Sequence, residues 1–432
     1  MIIGVESTDL NNILMDENHH IALMLSEKGK GMFFPKGGIL QQTAEARGTA
    51  INATIGQAFE SDGSPMVLES LAGQVKSNPK DSFLYSPSYG NKDLREAWKR
   101  EIRRKNPSLK SAISTPIVAS GLTHGLYVVG KLFVQPHESI ISPDRFWENY
   151  ELTFDGVKLD TFPAFQGERF NIDGLASKLL AEREKKKVVL LNFPNNPAGY
   201  TPTREEAEKI RDIIQQSAKK GNRIVAICDD AYFGLVYEEG IERESIFSKL
   251  AGLDERVLTI KVDGISKEMY AWGLRVGFVT YGFRGINDST ASVLENKTAG
   301  AIRGTISTAS TLSQTLALNA LKSPAFFSEM EGKFEELKKR YEAVKDSLKS
   351  HPEYLENFEA LPFNSGYFMC VKLKGADPEK VRRRLISDYN TGVVVNKDIM
   401  RVAYSSVGKD SIPAIFHNIN EAVKKEKAFE KF

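Results

Sequence analysis

Lys267 follows the β-branched, apolar run Val257-Leu258-Thr259-Ile260 at the end of Val262-Asp263-Gly264-Ile265-Ser266-Lys267, and Arg275 stands eight residues later in Gly273-Leu274-Arg275-Val276-Gly277. A lysine just past a buried strand, with an arginine held between glycines downstream, sets an amine beside a bound anion. Such an amine condenses with a carbonyl to a Schiff base, and the arginine suits a phosphate on the same molecule, as pyridoxal phosphate would present them. Most Ser-Lys pairs are solvated loop residues, so other parts of the chain must supply the remaining chemistry.

Each further cluster has a plain reading beside a chemical one. Gly121-Leu122-Thr123-His124-Gly125 follows Ile117-Val118-Ala119. It is a tight strand-to-helix turn, or a cup whose backbone N–H groups and Thr123 hydroxyl face a phosphate at a helix N-terminus. Pro194-Asn195-Asn196-Pro197-Ala198-Gly199 is a turn, or a turn that aims Asn196 at a phenolate oxygen. Asp229 and Asp230 end the apolar run Arg223–Cys228, where an unpaired carboxylate is costly unless a cation such as a protonated pyridine nitrogen meets it. Tyr232, three residues beyond Asp229, offers a second donor to the same phenolate as Asn196. Trp147, in Phe146-Trp147-Glu148-Asn149-Tyr150, is core or a flat face for a ring. Arg401 is a surface ion-pair partner or a bidentate clamp for a carboxylate.

The elements that must position these residues alternate along the chain. Apolar runs at 117–119, 139–142, 187–191, 223–228 and 257–262 carry little charge on either face and are separated by helical periods. That pattern predicts a mostly parallel sheet covered by helices on both faces, of the seven-stranded type. Thr203-Arg204-Glu205-Glu206 has the form of a capping box and opens a helix to about Lys220. Ligands bind at the carboxyl ends of strands in such sheets, and the polar clusters fall there. After about Pro324 a long charged helix, Phe327 to Lys349, leads into strands at 366–371 and 401–404. The expected organisation is an N-terminal arm and part of a small domain at 1–60, a large domain at 61–323, and a small α+β domain at 324–432.

Bulk properties exclude several classes. The 432 residues carry 58 basic and 56 acidic side chains, a net charge of +2, which gives nucleic acid or anionic membrane no compositional support. Two separated cysteines, Cys228 and Cys370, make neither a disulfide scaffold nor a zinc site, so no metal is expected and a reducing compartment is. The start of the chain lacks a signal peptide, and the best apolar stretch, Gly125 to Val134, is broken by Lys131 and too short to span a bilayer. A soluble cytoplasmic protein is expected.

Taken in order, from roughly Tyr85 to Arg401, these motifs resemble the class I/II, aspartate aminotransferase-like, pyridoxal-phosphate-dependent aminotransferases of fold type I. Asn195-Asn196-Pro197-Ala198-Gly199 is similar to that family's Asn-Pro-Thr-Gly turn, Asp229-Asp230-Ala231-Tyr232 to its Asp-x-x-Tyr, and Ser266-Lys267 with Gly-Leu-Arg to its lysine–arginine spacing. The resemblance implies that Lys267 binds the cofactor and shuttles the Cα proton. Asp229 would hold the pyridinium, with Asn196 and Tyr232 on the phenolic oxygen. Ser266, Arg275 and the Gly121-Leu122-Thr123 turn would bind phosphate, Trp147 would stack on the ring, and Arg401 would take the α-carboxylate with Gly56 nearby. Tyr85 looks like the tyrosine extended into a neighbouring subunit's phosphate site, which implies a homodimer with shared active sites. The chain departs from the pattern at Ala198, at Gly264 where many members have a phosphate-binding serine, and at Thr54 and Ile55.

The implied reaction is ping-pong transfer of an amino group from an amino acid to a 2-oxo acid such as 2-oxoglutarate. Arg303, in Ile302-Arg303-Gly304-Thr305, resembles the arginine by which dicarboxylate-specific members reach the distal carboxylate; it reads equally as a surface arginine. The expected donors are aspartate or glutamate, or aromatic amino acids. A lyase or decarboxylase of the same fold, and an aminotransferase-like sensor domain, are the alternatives.

Overall fold

The computed structural model describes residues 5–25, 30, 38–75 and 78–429; Lys28 and Lys36 of the expected arm lie outside them. The least charged runs form the middle of a seven-stranded sheet. Its strands are β1 (Ile117–Ala119), β2 (Ser139–Pro143), β3 (Lys158–Phe162), β4 (Lys186–Asn192), β5 (Arg223–Asp229), β6 (Val257–Gly264) and β7 (Gly277–Gly282), in the order β1-β7-β6-β5-β4-β2-β3. β7 runs antiparallel to both its neighbours, and the other pairings are parallel. β5 is buried from Ile224 to Asp229, as a strand covered on both faces requires.

The alternating pattern did not reveal β3 or β7. β3 is an edge strand whose Lys-Leu-Asp-Thr-Phe sequence is only partly buried, so it lacks an apolar run. β7 begins at Gly277, the last glycine of the Arg275 motif, and reads as a turn until its pairing with Gly264 is seen.

Helices cover the sheet. Arg204–Lys219 starts with the expected capping box between Thr203 and Glu206 and buries Ala207, Ile210, Ile213 and Ile214. Gly121–Phe133 packs under the strand ends, and Lys92–Lys105 sends Trp98 onto Phe278 with ring centroids 4.3 Å apart.

A second, four-stranded sheet lies beyond the long helix Phe326–Ser350. It consists of β8 (Phe358–Ala360), β9 (Met369–Leu373), β10 (Val394–Asn396) and β11 (Ile399–Val402), ordered β8-β9-β11-β10. Ile51–Asn52 pairs in parallel with Thr391–Gly392, which ties the early chain to this smaller layer. The strand expected at 366–371 starts only at Met369, because the preceding residues dock on the Pro197–Thr201 turn. Gly199 (φ +73°) accepts from the Asn364 and Ser365 N–H groups at 2.9 Å each. A Cβ on Gly199 would stand 1.8 Å from the Phe368 carbonyl oxygen, so only glycine permits this approach.

Candidate active site

The site gathers at the carboxyl ends of β4, β5 and β6. Asn192 and Asp229 are paired in register, and the Asn192 side chain donates to the Asp229 carbonyl at 2.9 Å. Asp229 is buried. Burial pushes its carboxyl up, while the Tyr150 hydroxyl, the Lys267 charge and the Ala231 N–H (3.1 Å) oppose that and favour the anion. Tyr150 carries no motif signal of its own in the sequence. It lies three residues past Trp147, packs edge-on to it at 5.5 Å, and donates directly to Asp229.

Gly264 ends β6, and one helical turn, Ile265–Glu268, presents Lys267. Its ammonium sits 5.1 Å from the Tyr232 ring centroid. Burial, with Arg275 adding to it and Asp229 opposing, lowers the lysine to about 8. A substantial neutral fraction is therefore present near neutral pH, the state in which an amine attacks a carbonyl.

Across the site, the Asn196 backbone N–H donates to the Asn192 side-chain oxygen at 2.8 Å, and Asn196 is flanked by cis peptides before Pro194 and Pro197. The nearby Tyr232 hydroxyl is buried, which raises its phenol, while the Arg401 charge and the Asn196 side chain oppose that rise. The Asn196 oxygen accepts from Arg401 at 3.4 Å. Arg401 is buried, donates to the Thr54 carbonyl at 2.9 Å and lies over the Phe368 ring at 4.4 Å. Its Nε has no partner among the described residues.

The anion end is equally specific. Gly121 opens the helix Gly121–Phe133 with φ +78°, and a Cβ there would stand 2.4 Å from Arg275 Nη2. The guanidinium thus lies against the helix N-terminus. Ser266 is buried and its hydroxyl has no partner among the described residues, an orphan that a phosphate oxygen would satisfy. At Gly264 the departure from serine has a steric reason: a Cβ would approach the Val276 carbonyl oxygen to 2.5 Å.

Residues 59–409 match the family model "Aminotransferase class I and II". The chain belongs to that family. It has the fold type I architecture and is a pyridoxal-phosphate-dependent aminotransferase. It is 24% identical over 356 residues to an aspartate aminotransferase of Bacillus sp. (strain YM-2), covering 80% of this chain and 84% of that one. It is 28% identical over 200 residues to aromatic-amino-acid aminotransferase 2 of Thermococcus litoralis, covering 45% and 48%. An aminotransferase structure from Anaerococcus prevotii superposes with a TM-score of 0.82 at 20% identity, covering 93% and 99%.

In this aminotransferase, Trp147, Asn196 and Arg401 line one narrow cavity. A separate surface depression lies between Glu60, Asp62, Glu329 and Lys333 and holds none of the site groups. Thr123 is half-buried and Leu122 buried at the anion end. Gly56 does not line the cavity; it lies 3.4 Å (as a Cβ) from Phe368, beneath the Arg401 platform, and the direct partner of Arg401 is the Thr54 carbonyl. A backbone acceptor carries no residue-type signal, so sequence could not single it out. Tyr85 is 92% exposed, and Arg303 is exposed at the end of the helix Asp288–Arg303. Neither is among the residues that line this cavity. Among the described residues no helix is long and apolar enough to cross a membrane.

Proposed function

We propose that this aminotransferase moves the amino group of an aromatic or aspartate/glutamate-type amino acid to a 2-oxo acid such as 2-oxoglutarate, in two half-reactions at one site. The observation that carries the reading is the convergence of Lys267, Asp229 and Arg401 around Asn196 and Tyr232. Bound pyridoxal phosphate supplies the electron sink and the temporary amino carrier. Asp229, supported by Tyr150, would meet the pyridinium nitrogen, and Asn196 and Tyr232 would donate to the phenolic oxygen. Ser266, Arg275 and the 121–123 N–H groups would hold the phosphate, and Trp147 would cover the ring. Lys267 moves the proton at the substrate Cα, and Arg401 fixes the α-carboxylate bidentately.

The apolar cavity walls, Ile39, Phe146 and Val394, favour the aromatic half of this donor range. The dicarboxylate half rests on Arg303 arriving from a second copy of the chain. Exposed Phe83, Leu84, Tyr85, Ile306 and Leu312 support a homodimer, with Tyr85 reaching the other copy's phosphate end. The two cysteines are free and buried, in keeping with a cytoplasmic setting.

The test is spectroscopic. Protein loaded with cofactor should absorb in the visible, lose that band on addition of an amino donor with release of the 2-oxo acid, and regain it with the right acceptor. Lys267→Ala should hold no cofactor covalently. A wild type that never acquires the band overturns the proposal; Arg303→Ala with unaltered aspartate kinetics removes its dicarboxylate half.

A further inference from the structure

A buried structural carboxylate such as Glu206 is satisfied within the chain. Glu206 accepts from the Phe170 N–H, the Tyr200 hydroxyl and the Thr203 N–H at 3.1, 2.8 and 2.7 Å. Glu148 is different. It is half-buried, lines the same cavity as Arg401 and Asn396, and its carboxylate has no hydrogen-bond or ion-pair partner among the described residues. Charges do surround it. Burial raises its carboxyl above the ordinary glutamate range, with Glu151 adding to it and Arg401 and Lys397 opposing. Yet Lys397, on the turn between β10 and β11, lies over the Phe146 ring at 5.2 Å, and the neighbouring Asp398 is taken by Arg145 at 2.7 Å. The facing hairpin therefore spends its charges elsewhere and leaves Glu148 open to the cavity.

We infer that Glu148 is a specificity-determining residue, favouring amino and 2-oxo acids whose side chain ends in a hydrogen-bond donor over those whose side chain ends in a carboxylate. This rests on the proposed function, in which Arg401 is occupied by the α-carboxylate. Among the described cavity-lining residues Arg401 is then the single cation and Glu148 the single anion. A molecule with a carboxylate at one end and a donor at the other matches both. A dicarboxylate meets Glu148 with like charge, and its use depends on a further cation such as Arg303 from a second copy. A phenolic or ammonium side chain supplies the donor that the half-buried carboxylate lacks.

Calorimetric titration of the cofactor-loaded enzyme with 5-aminopentanoate and glutarate tests this. The two have equal length and differ only at the distal group; once its visible band is recorded the enzyme is reduced with borohydride, so that the terminal amine of 5-aminopentanoate cannot exchange with Lys267 on the cofactor. Wild type is expected to bind 5-aminopentanoate about tenfold or more tightly. Glu148→Gln should bring the two within about twofold, and Glu148→Asp should retain the order. The visible cofactor band reports that each variant is folded and loaded. Equal or tighter binding of glutarate by wild type, binding of neither ligand, or a preference that survives Glu148→Gln overturns the inference. The transamination reading fails separately: it falls when no amino acid bleaches the visible band, whatever the calorimetry shows.

Discussion

Asp229 and Asp230 adjoin in sequence but face different surroundings. Asp229 is directed into the site, with Tyr150 and Ala231 as donors and Lys267 as its nearest counter-charge. Asp230 belongs to a closed ionic cluster. It pairs with fully buried Lys261 and accepts from the Ser245 hydroxyl at 2.6 Å; Lys261 also lies 3.2 Å from Asp263, which accepts from the Trp98 indole at 3.0 Å. Lys267 and Glu268 repeat the division, because Glu268 pairs with Lys105 and Lys261 acts on it electrostatically. Successive residues point to opposite sides where β5 ends in extended backbone, and about 100° apart on the helical turn Ile265–Glu268, so each segment feeds both regions. In the cluster, charge meets charge within the chain. Among the described residues Glu268 Oε1 in the cluster and Ser266 Oγ and Arg401 Nε in the site lack hydrogen-bond partners; the latter two stand where the proposed phosphate and carboxylate would complete the network.

Paired amide substitutions give the largest test of this division. Asp229→Asn should lower kcat by about 10³-fold, because the anion facing the pyridinium is lost, with little change in thermal midpoint. Asp230→Asn should leave Lys261 undercompensated in a dry cluster and cost about 3–5 kcal/mol of stability. Protein that does fold should retain most of its turnover. Activity assays and denaturant titrations on both variants decide it; if both lose activity alike, the two regions act as one.

How much of this was readable beforehand follows from the same geometry. Lys267, Asn196, Tyr232 and Arg275 stand in short local patterns at strand ends, and the order of apolar runs placed β4, β5 and β6. The Asp-x-x-Tyr pattern separates Asp229 from Asp230, but the role of Asp230 is not legible, because its partner Lys261 faces it only once β5 and β6 pair. Glu148 was quoted beside Trp147 and received no role, because an open carboxylate is recognised by the partners it lacks. Thr54 acts through its carbonyl, and β7 was hidden by the glycines that let it approach Gly121 and Gly264.

A smaller effect distinguishes the regions by pH. Lys267 is lowered from 10.5 to about 8 by burial, so covalent capture of pyridoxal phosphate by the cofactor-free enzyme should accelerate with pH and level off above about 8. An ordinary lysine would keep accelerating towards 10.5. The linked stability has a definite sign. The unfolded chain binds the extra proton between about 8 and 10.5, so the cofactor-free protein should become more stable as pH rises through that window. A capture rate still climbing at pH 10 would show that the site leaves its amine unperturbed.

The finest test is Glu268→Gln, one residue from the reactive amine but on the other side of the division. Burial raises Glu268 from 4.5 to about 7, with Asp263 adding to it and Lys105 and Lys261 opposing. The folded protein thus holds an extra proton between those values. This contribution to stability is fully present below 4.5 and is lost as pH rises through 7. Glutamine still offers Lys105 an acceptor and does not titrate. Relative to wild type, the variant should therefore gain about 1–3 kcal/mol between pH 5 and 7.5, read by denaturant titration at both pH values. Its turnover should stay within about threefold of wild type, and the pH at which Lys267 captures cofactor should not move. If that midpoint shifts, charge crosses from the cluster to Lys267 through the single turn Ile265–Glu268, and the cluster is part of the catalytic electrostatics rather than a brace behind it.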